Sequence, residues 1–364
     1  MQIDFHLGVT YILCRMAGFD SREANIIAGS SQFVDDAVHS GVLYFDNDYL
    51  YEFIASAHRH LDYRNFQELA NHRVWIPFHF LPSGESTSPL ICRPNSIIAQ
   101  HMLREMTPYL RQPIGLYLLG VTLHAYADTW AHQGFSGTTS DRNVAIEIYD
   151  EVGNIDAEKM KHRKKYFEEQ NPWWKKLWNK IFAYFLSQGV SEINPIGHGP
   201  VLSYPDQAFL RWGYKDWQGN VIFRDNPSEY FEAAEHILGF LIQLRQEHGL
   251  PVAKISDEDK QKIKTLLREI QHVDGLERLQ LWRSAIQSGG FSFGKDPWTY
   301  SCDGSSCWTR ECFGITDDGD FSFADLAYTD EFLSSHWKLS HDALIFHRFK
   351  IVHQILPQYK LCIS

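Results

Sequence analysis

The run "IGLYLLGV" at residues 114 to 121 passes without a break into "TLHAYADTWAHQGFSG". A helix this apolar over 112 to 133 belongs in a protein interior, and the run falls well short of the roughly 20 residues that span a bilayer. Yet it carries His124, Asp128 and His132. Positions four apart differ by about 40° around a helix, so the three side chains share one face. Along the axis, His124 and His132 stand roughly 12 Å apart, too far for one ion to take all three. A carboxylate bridging two ions, or a larger cluster, fits that spacing. The plainer alternative is a hydrogen-bonded His124–Asp128 pair, with His132 facing the dipole at the helix end.

Helical spacing extends over most of the chain. It predicts helices at 3–17, 21–36, 45–60, 97–107, 153–187, 227–247, 256–273, 276–287 and 326–355, besides 112–133. Strand signals are sparse. The stretches 81–96, 189–226 and 289–325 read as loops, studded with aromatic residues that favour burial. The expectation is one all-α domain over residues 1–364, with long ordered loops. A net charge of −11 and a pI near 5.9 argue against a grip on long nucleic acid or an anionic membrane. "MQIDFHLGVTYILC" shows no basic segment and no cleavage site of a secretory signal, so a cytoplasmic protein is expected. Cys302, Cys307 and Cys312 form the one cysteine cluster, readable as a zinc knuckle or a disulfide loop.

Further candidate donors surround the central helix. "DFH" supplies Asp4 and His6, and the second predicted helix ends in "SSQFVDDA" with Asp35 and Asp36. Adjacent carboxylates beside an apolar face are costly unless a positive group neutralises them, although a solvated helix end also accounts for them. His79 stands among large apolar residues in "WIPFHFLP", and an isolated core histidine looks the same. His198 lies between glycines, and Asp206 follows a proline, in "NPIGHGPVLSYPDQAFLRW". Several separated segments, each offering His or Asp without thiolate, form the pattern of a multinuclear hydrolytic site for zinc or a similar ion. Trp75, Tyr126 and Trp130 are candidates for pocket walls, with ordinary core packing as the alternative.

These residues resemble the zinc-dependent phospholipase C and single-strand-specific nuclease superfamily, all-α enzymes that hydrolyse phosphodiesters with a trinuclear zinc cluster. "HLGVT" with His6 is similar to that family's N-terminal histidine segment, and "SSQFVD" to the helix end whose aspartate is a ligand and a proposed general base, hence Asp35. His79 resembles its lone histidine after a loop, and "HAYAD" its "H-Y-L-G-D" helix. The chain departs from the pattern in that His132 follows Asp128 by four residues rather than six. His198 and Asp206 stand in for a histidine and a glutamate on one helix. The family also uses its free N-terminal residue as a ligand. The sequence is similar, over most of its length, to bacterial proteins that open with "DFH" and share "HAYADTWAHQGFSG", a resemblance that carries no activity with it.

The resemblance implies a centre of two or three zinc ions acting on a small-molecule or lipid phosphoester. In it Asp35 orients or deprotonates the attacking water and Asp128 bridges. Two rivals have their own residues. "SHDALIFH" supplies the His341–Asp342 doublet of an HD-type phosphohydrolase, and the Trp- and Lys-rich stretch 171–189 suits a non-catalytic module with peripheral membrane contact.

Overall fold

The chain opens on a wide helical turn. In the computed structural model, which describes residues 1–58, 71–161, 196–296, 298, 307–314 and 327–362, a π-helical turn Asp4–Val9 runs into α1, Thr10–Ala17. Gly18 ends α1 at a φ of 104°, a left-handed value that glycine adopts without a Cβ clash. Helix α2, Ser21–Asp36, starts on a reciprocal capping box between Asp20 and Glu23, which satisfies two otherwise unpaired amides. A π-turn Asn71–Trp75 and the short α3, Ile76–Phe78, lead to His79. Helix α4, Ile97–Met106, is capped by Ser96, and α5, Gly115–Ala131, is the helix read from the apolar run.

The remaining helices are α6, Asn226–Glu247; α7, Asp257–Glu269; α8, Gly275–Gln287; α9, Trp308–Phe313; and α10, His336–Phe349, which continues as a π-turn Lys350–Ile355. Every residue of α5 from Tyr117 to Ala131 is buried. Helices α2, α4, α6 and α10 pack around it. The α2–α5 crossing is unusually close, because a Cβ on Gly120 would lie 2.2 Å from the Ile27 carbonyl oxygen and 2.6 Å from Ser30 Cβ. That absence of a side chain brings the end of α2 against the polar half of α5.

The all-α expectation is overturned: the fold is mixed α/β, with two small antiparallel sheets. Strands β1, Gly41–Tyr44, and β2, Leu50–Phe53, form a hairpin where 45–60 reads as a helix. Asp46, Asn47 and Asp48 supply its turn, with Asp48 at a φ of 64° that Asp tolerates better than most residues. Only Leu43 and Phe53 on these strands are buried, so the alternation is too short to stand out from helical spacing.

The second sheet has the order β3, Ala145–Tyr149; β4, Arg211–Asp216; β5, Val221–Asp225. Strands β4 and β5 lie inside the expected 189–226 loop. Their turn is closed by Asp216, whose carboxylate accepts from the Gln218 and Asn220 amides, with Gly219 at a φ of 86°. Trp212 and Tyr214 turn inward on Phe80, Phe135, Ile148, Val201 and Tyr204, a smaller core beside the main one.

Of the predicted 153–187 helix, residues 153–156 are not helical, with Ile155 bridged to Tyr149, and residues 157–161 are; 162–187 lies outside the described residues, as do the stretch 171–189 and Cys302. Cys307 and Cys312 are free thiols. Among the described residues no helix is long and apolar enough to cross a membrane.

Candidate metal centre

Asp128 is the hub. It is 1% exposed on α5, and its two oxygens face different neighbours. Oδ1 lies 2.5 Å from the Met1 amine and 3.2 Å from His6 Nε2. Oδ2 lies 3.1 Å from His79 Nδ1, 3.3 Å from His124 Nε2 and 3.5 Å from His132 Nδ1. Asp35, at the end of α2, reaches His124 Nε2 at 3.8 Å and His79 Nδ1 at 4.0 Å. On the other side Asp206 takes His132 Nε2 at 3.2 Å and His198 Nε2 at 3.3 Å, one on each oxygen, with the Met1 amine 3.3 Å from Oδ1.

Eight of the ten candidate donors named from the sequence meet, all but Asp4 and Asp36, in three groups that could each hold a metal ion: His6, His124 and Asp128; Asp35, His79 and His124; His132, His198 and Asp206. His124 and His132 fall in different groups, as the rise of a helix requires.

The imidazoles are aimed by the backbone. His79 Nε2 donates to the Ser56 carbonyl at 2.9 Å, His124 Nδ1 to Ser31 at 2.7 Å, His132 Nδ1 to His79 at 2.7 Å and His198 Nδ1 to Leu202 at 2.8 Å. A ring nitrogen that donates to a carbonyl leaves its partner nitrogen as the ligand atom, which is how metal-binding histidines are oriented. In each case that second nitrogen faces a carboxylate of the cluster. His79 Nδ1 and His124 Nε2 are 3.3 Å apart, and in the neutral rings, whose N–H groups are spent on the backbone, two lone pairs face each other there, as two ligands of one ion would.

The supporting contacts are local. Leu202 adopts a φ of 55°, rare for a side chain of its size, as it turns its carbonyl to His198. Gly197, at a φ of 55°, lies so close to Phe80 that a Cβ would come within 2.4 Å of the ring. Phe80 in turn stacks on His132 with centroids 4.5 Å apart. The turn holding Asp206 is fixed by buried Asn226, whose amide donates to the Tyr204 and Gln207 carbonyls, and by the Tyr230 hydroxyl on the Pro205 carbonyl. Arg224 donates to the Trp130 and Ala131 carbonyls at the end of α5 while paired with Glu229. It thereby satisfies unpaired helix-end carbonyls just before His132.

Electrostatics follow from burial and crowding. Burial alone favours a protonated Asp128, yet His132, the Met1 amine, His124 and His6 hold it well below the usual carboxylate range. Burial would lower the Met1 amine, but Asp128 and Asp206 outweigh it and raise it to about 10. Burial takes His132 down to about 4, and burial with the stacked His124 ring holds His6 well below an ordinary imidazole. Asp35 is raised, chiefly by burial. Burial would also lower His79, but its hydrogen bond to Asp128 and the charge of that carboxylate outweigh burial and raise it. His132 and His6 are thus held as neutral imidazoles and Asp128 as a carboxylate, the protonation states that metal binding needs.

The chain belongs to DUF6765, a family of unknown function. The DUF6765 match runs over residues 1–355 and so takes in every donor of the centre. No curated protein and no solved structure matches the chain.

In this DUF6765 chain the other sequence candidates part company. Trp75 is half-buried with its ring centroid 5.4 Å from that of His79. Tyr126 and Trp130 lie on the far side of α5, buried against each other, with the Tyr126 hydroxyl on Asn95. His341 and Asp342 share no site: His341 sits among Phe33, Phe53 and Trp337, while Asp342 takes Tyr51 and Lys338. Asp4 pairs with Arg278, and Asp36 accepts from Gln32. The Met1 amine is the group that residue-type reasoning overlooks, since it belongs to the backbone. The resemblance to a family with an N-terminal ligand was its one signal.

Proposed function

We propose that the chain is a metal-dependent hydrolase of phosphoric esters whose centre holds two or three zinc ions. The observation that carries this reading is the aim of four imidazoles, each with one N–H spent on a backbone carbonyl and the other nitrogen turned on Asp128 or Asp206. Nitrogen and oxygen donors without thiolate suit zinc. Three carboxylates facing two divalent ions leave one net positive charge, and facing three ions leave three, so the loaded centre attracts an anionic ester. When bound, such ions activate water and neutralise charge on the phosphoryl oxygens.

The chain's own side chains divide the remaining work. Asp35 is 32% exposed, against 13% for Asp206 and 1% for Asp128, so it is the carboxylate that meets substrate. It orients the attacking water and accepts its proton. Asp128, closed off from solvent, spaces the two halves of the centre. Trp75 offers a flat apolar wall beside His79. With a net charge of −11 the substrate is a small-molecule or lipid phosphoester rather than a long nucleic acid.

The test is metal content per chain by elemental mass spectrometry, on protein purified without a metal-affinity step, alongside His124→Ala. His124 takes part in two of the three groups. Two or three ions in the wild type, at least one fewer in the variant, and chelator-sensitive turnover of phosphodiesters support the reading. No ions, even after remetallation, would sink it.

A further inference from the structure

Arg278 lies on α8, fully buried, and uses its whole guanidinium. Nε donates to Asp4 Oδ2 at 2.8 Å and Nη2 to Asp4 Oδ1 at 3.0 Å, a two-pronged pair. Nη2 also donates to Gln2 Oε1 at 2.5 Å, and Nη1 to the His272 and Val273 carbonyls at 2.6 and 3.0 Å. Five contacts match the five N–H groups that an arginine owns. The two carbonyls belong to the segment leading into α8, so the guanidinium is itself held before it holds anything else. Gly275 permits the approach, since a Cβ there would lie 3.2 Å from Gln2 Oε1 and from Ile3 Cγ2.

The residues it grips alternate with donors of the centre. Met1 and His6 reach Asp128 Oδ1, while Gln2 and Asp4, between them, reach Arg278. The π-helical turn that begins at Asp4 makes this division possible, because a wider turn aims His6 differently from an α-helical one. A free N-terminal segment would lose this placement to chain entropy.

We propose that Arg278 is a positioning residue of the metal centre: by clamping Gln2 and Asp4 it holds the Met1 amine and His6 against Asp128, and so sets the affinity for the ion on that side. The inference rests on the centre being a metal site. It assigns to one ion only a dependence on a residue that touches none of the donors.

The experiment is a zinc titration against a chromophoric chelator on the chain beginning at Met1, for wild type, Arg278→Gln, Asp4→Asn and Gln2→Leu, with thermal melts of the chelated forms. Arg245→Met is the control, a buried arginine whose partners are the Pro251 carbonyl, Glu23 and the Phe19 ring rather than the N-terminal segment. The expected result is one class of ion weakened by about 10- to 100-fold in the clamp variants, the scale of lost outer-shell support, with the other ions within about twofold of wild type. The control should lose stability but no ion. If Arg278→Gln fails to fold, Asp4→Asn and the milder Gln2→Leu carry the same readout. Unchanged affinity for every ion in those variants, or equal weakening of all ions, overturns the clamp. A wild type that binds no zinc removes the metal centre itself, a separate failure.

Discussion

Substituting Gly120 by alanine tests whether a helix crossing sets the geometry of the centre. The added Cβ would sit 2.2 Å from the Ile27 carbonyl oxygen, 2.6 Å from Ser30 Cβ and 2.9 Å from the Ser31 nitrogen. Relief requires α2 and α5 to part by about 1 Å. His124 lies one turn along from Gly120, and its Nδ1 is 2.7 Å from the Ser31 carbonyl. A parting of about 1 Å ends that hydrogen bond, and it moves Asp35 from His124 as well. Overpacking costs about 1–3 kcal/mol, the lost bond about 1 more, and the helix preference of alanine over glycine returns about 1. A net loss of about 1–3 kcal/mol corresponds to a Tm lower by roughly 1–4 °C in a chain of this size. Affinity for the ion shared by Asp35, His79 and His124 should fall by about 10-fold or more. Gly239→Ala is the internal control: it lies on the exposed face of α6 with nothing within 4 Å of the new Cβ, and should stabilise slightly. Melts of the chelated protein and a zinc competition titration read both effects. A Gly120→Ala protein with wild-type Tm and wild-type affinity would refute the argument that close approach of these helices places the donors.

Other consequences are checked more simply. Zinc removal by chelator should lower the Tm, and added zinc restore it, with about 4 kcal/mol of stabilisation at a thousandfold excess over Kd; a Tm indifferent to both would contradict a structural role for the ions. Asp35→Asn should cut kcat by about 100-fold or more at saturating zinc while leaving stability nearly unchanged, since the side chain is partly exposed; retained turnover would remove Asp35 from the mechanism. Acid stability depends on His341 and His347, which burial pushes down to about 3 and about 4. Each gains its proton only on unfolding between that value and 6.5, so its stabilisation is whole above about pH 6.5 and is lost as the pH falls, by roughly 3 kcal/mol for His347. His347→Leu should flatten denaturant-derived stability between pH 6.5 and 4, and an unchanged slope would show that His347 titrates normally.

Helices were legible because their signals are long. The apolar run, the Ser256 cap and the stop at Gly18 each span several residues that agree, whereas the cap read at Asn226 falls one residue earlier, on Asp225. The strands are four to six residues, and each shows one or two inward side chains, too few for alternation to separate from helical spacing. Their clearest signal was in the turns, Asp150–Asn154 and Asp216–Asn220, which share the pattern D-x-x-G-N and the same Asp-to-backbone hydrogen bonds.

The donors were legible for an energetic reason: imidazole and carboxylate at apolar positions cost several kcal/mol unless paired, so their presence asks for a partner. Arg278 gave no such sign. In "GLERLQLWR" it reads as one more charge on a solvated helix face, and its burial is decided by Asp4, 274 positions away. Asp4 likewise reads as a possible ligand beside His6, although its charge is spent on the guanidinium. The Met1 amine is hidden more deeply, because every chain has one, and only folding makes it a donor facing two buried carboxylates. These groups are connected: Arg278 fixes Asp4 and Gln2, they fix Met1 and His6, and Asp128 then receives on Oδ1 what its histidines cannot supply from Oδ2. A donor list drawn from residue types therefore recovers every side chain of the three groups, His6 included. What it lacks is the Met1 amine and the long-range ion pair of Arg278 with Asp4 that positions the chain's beginning.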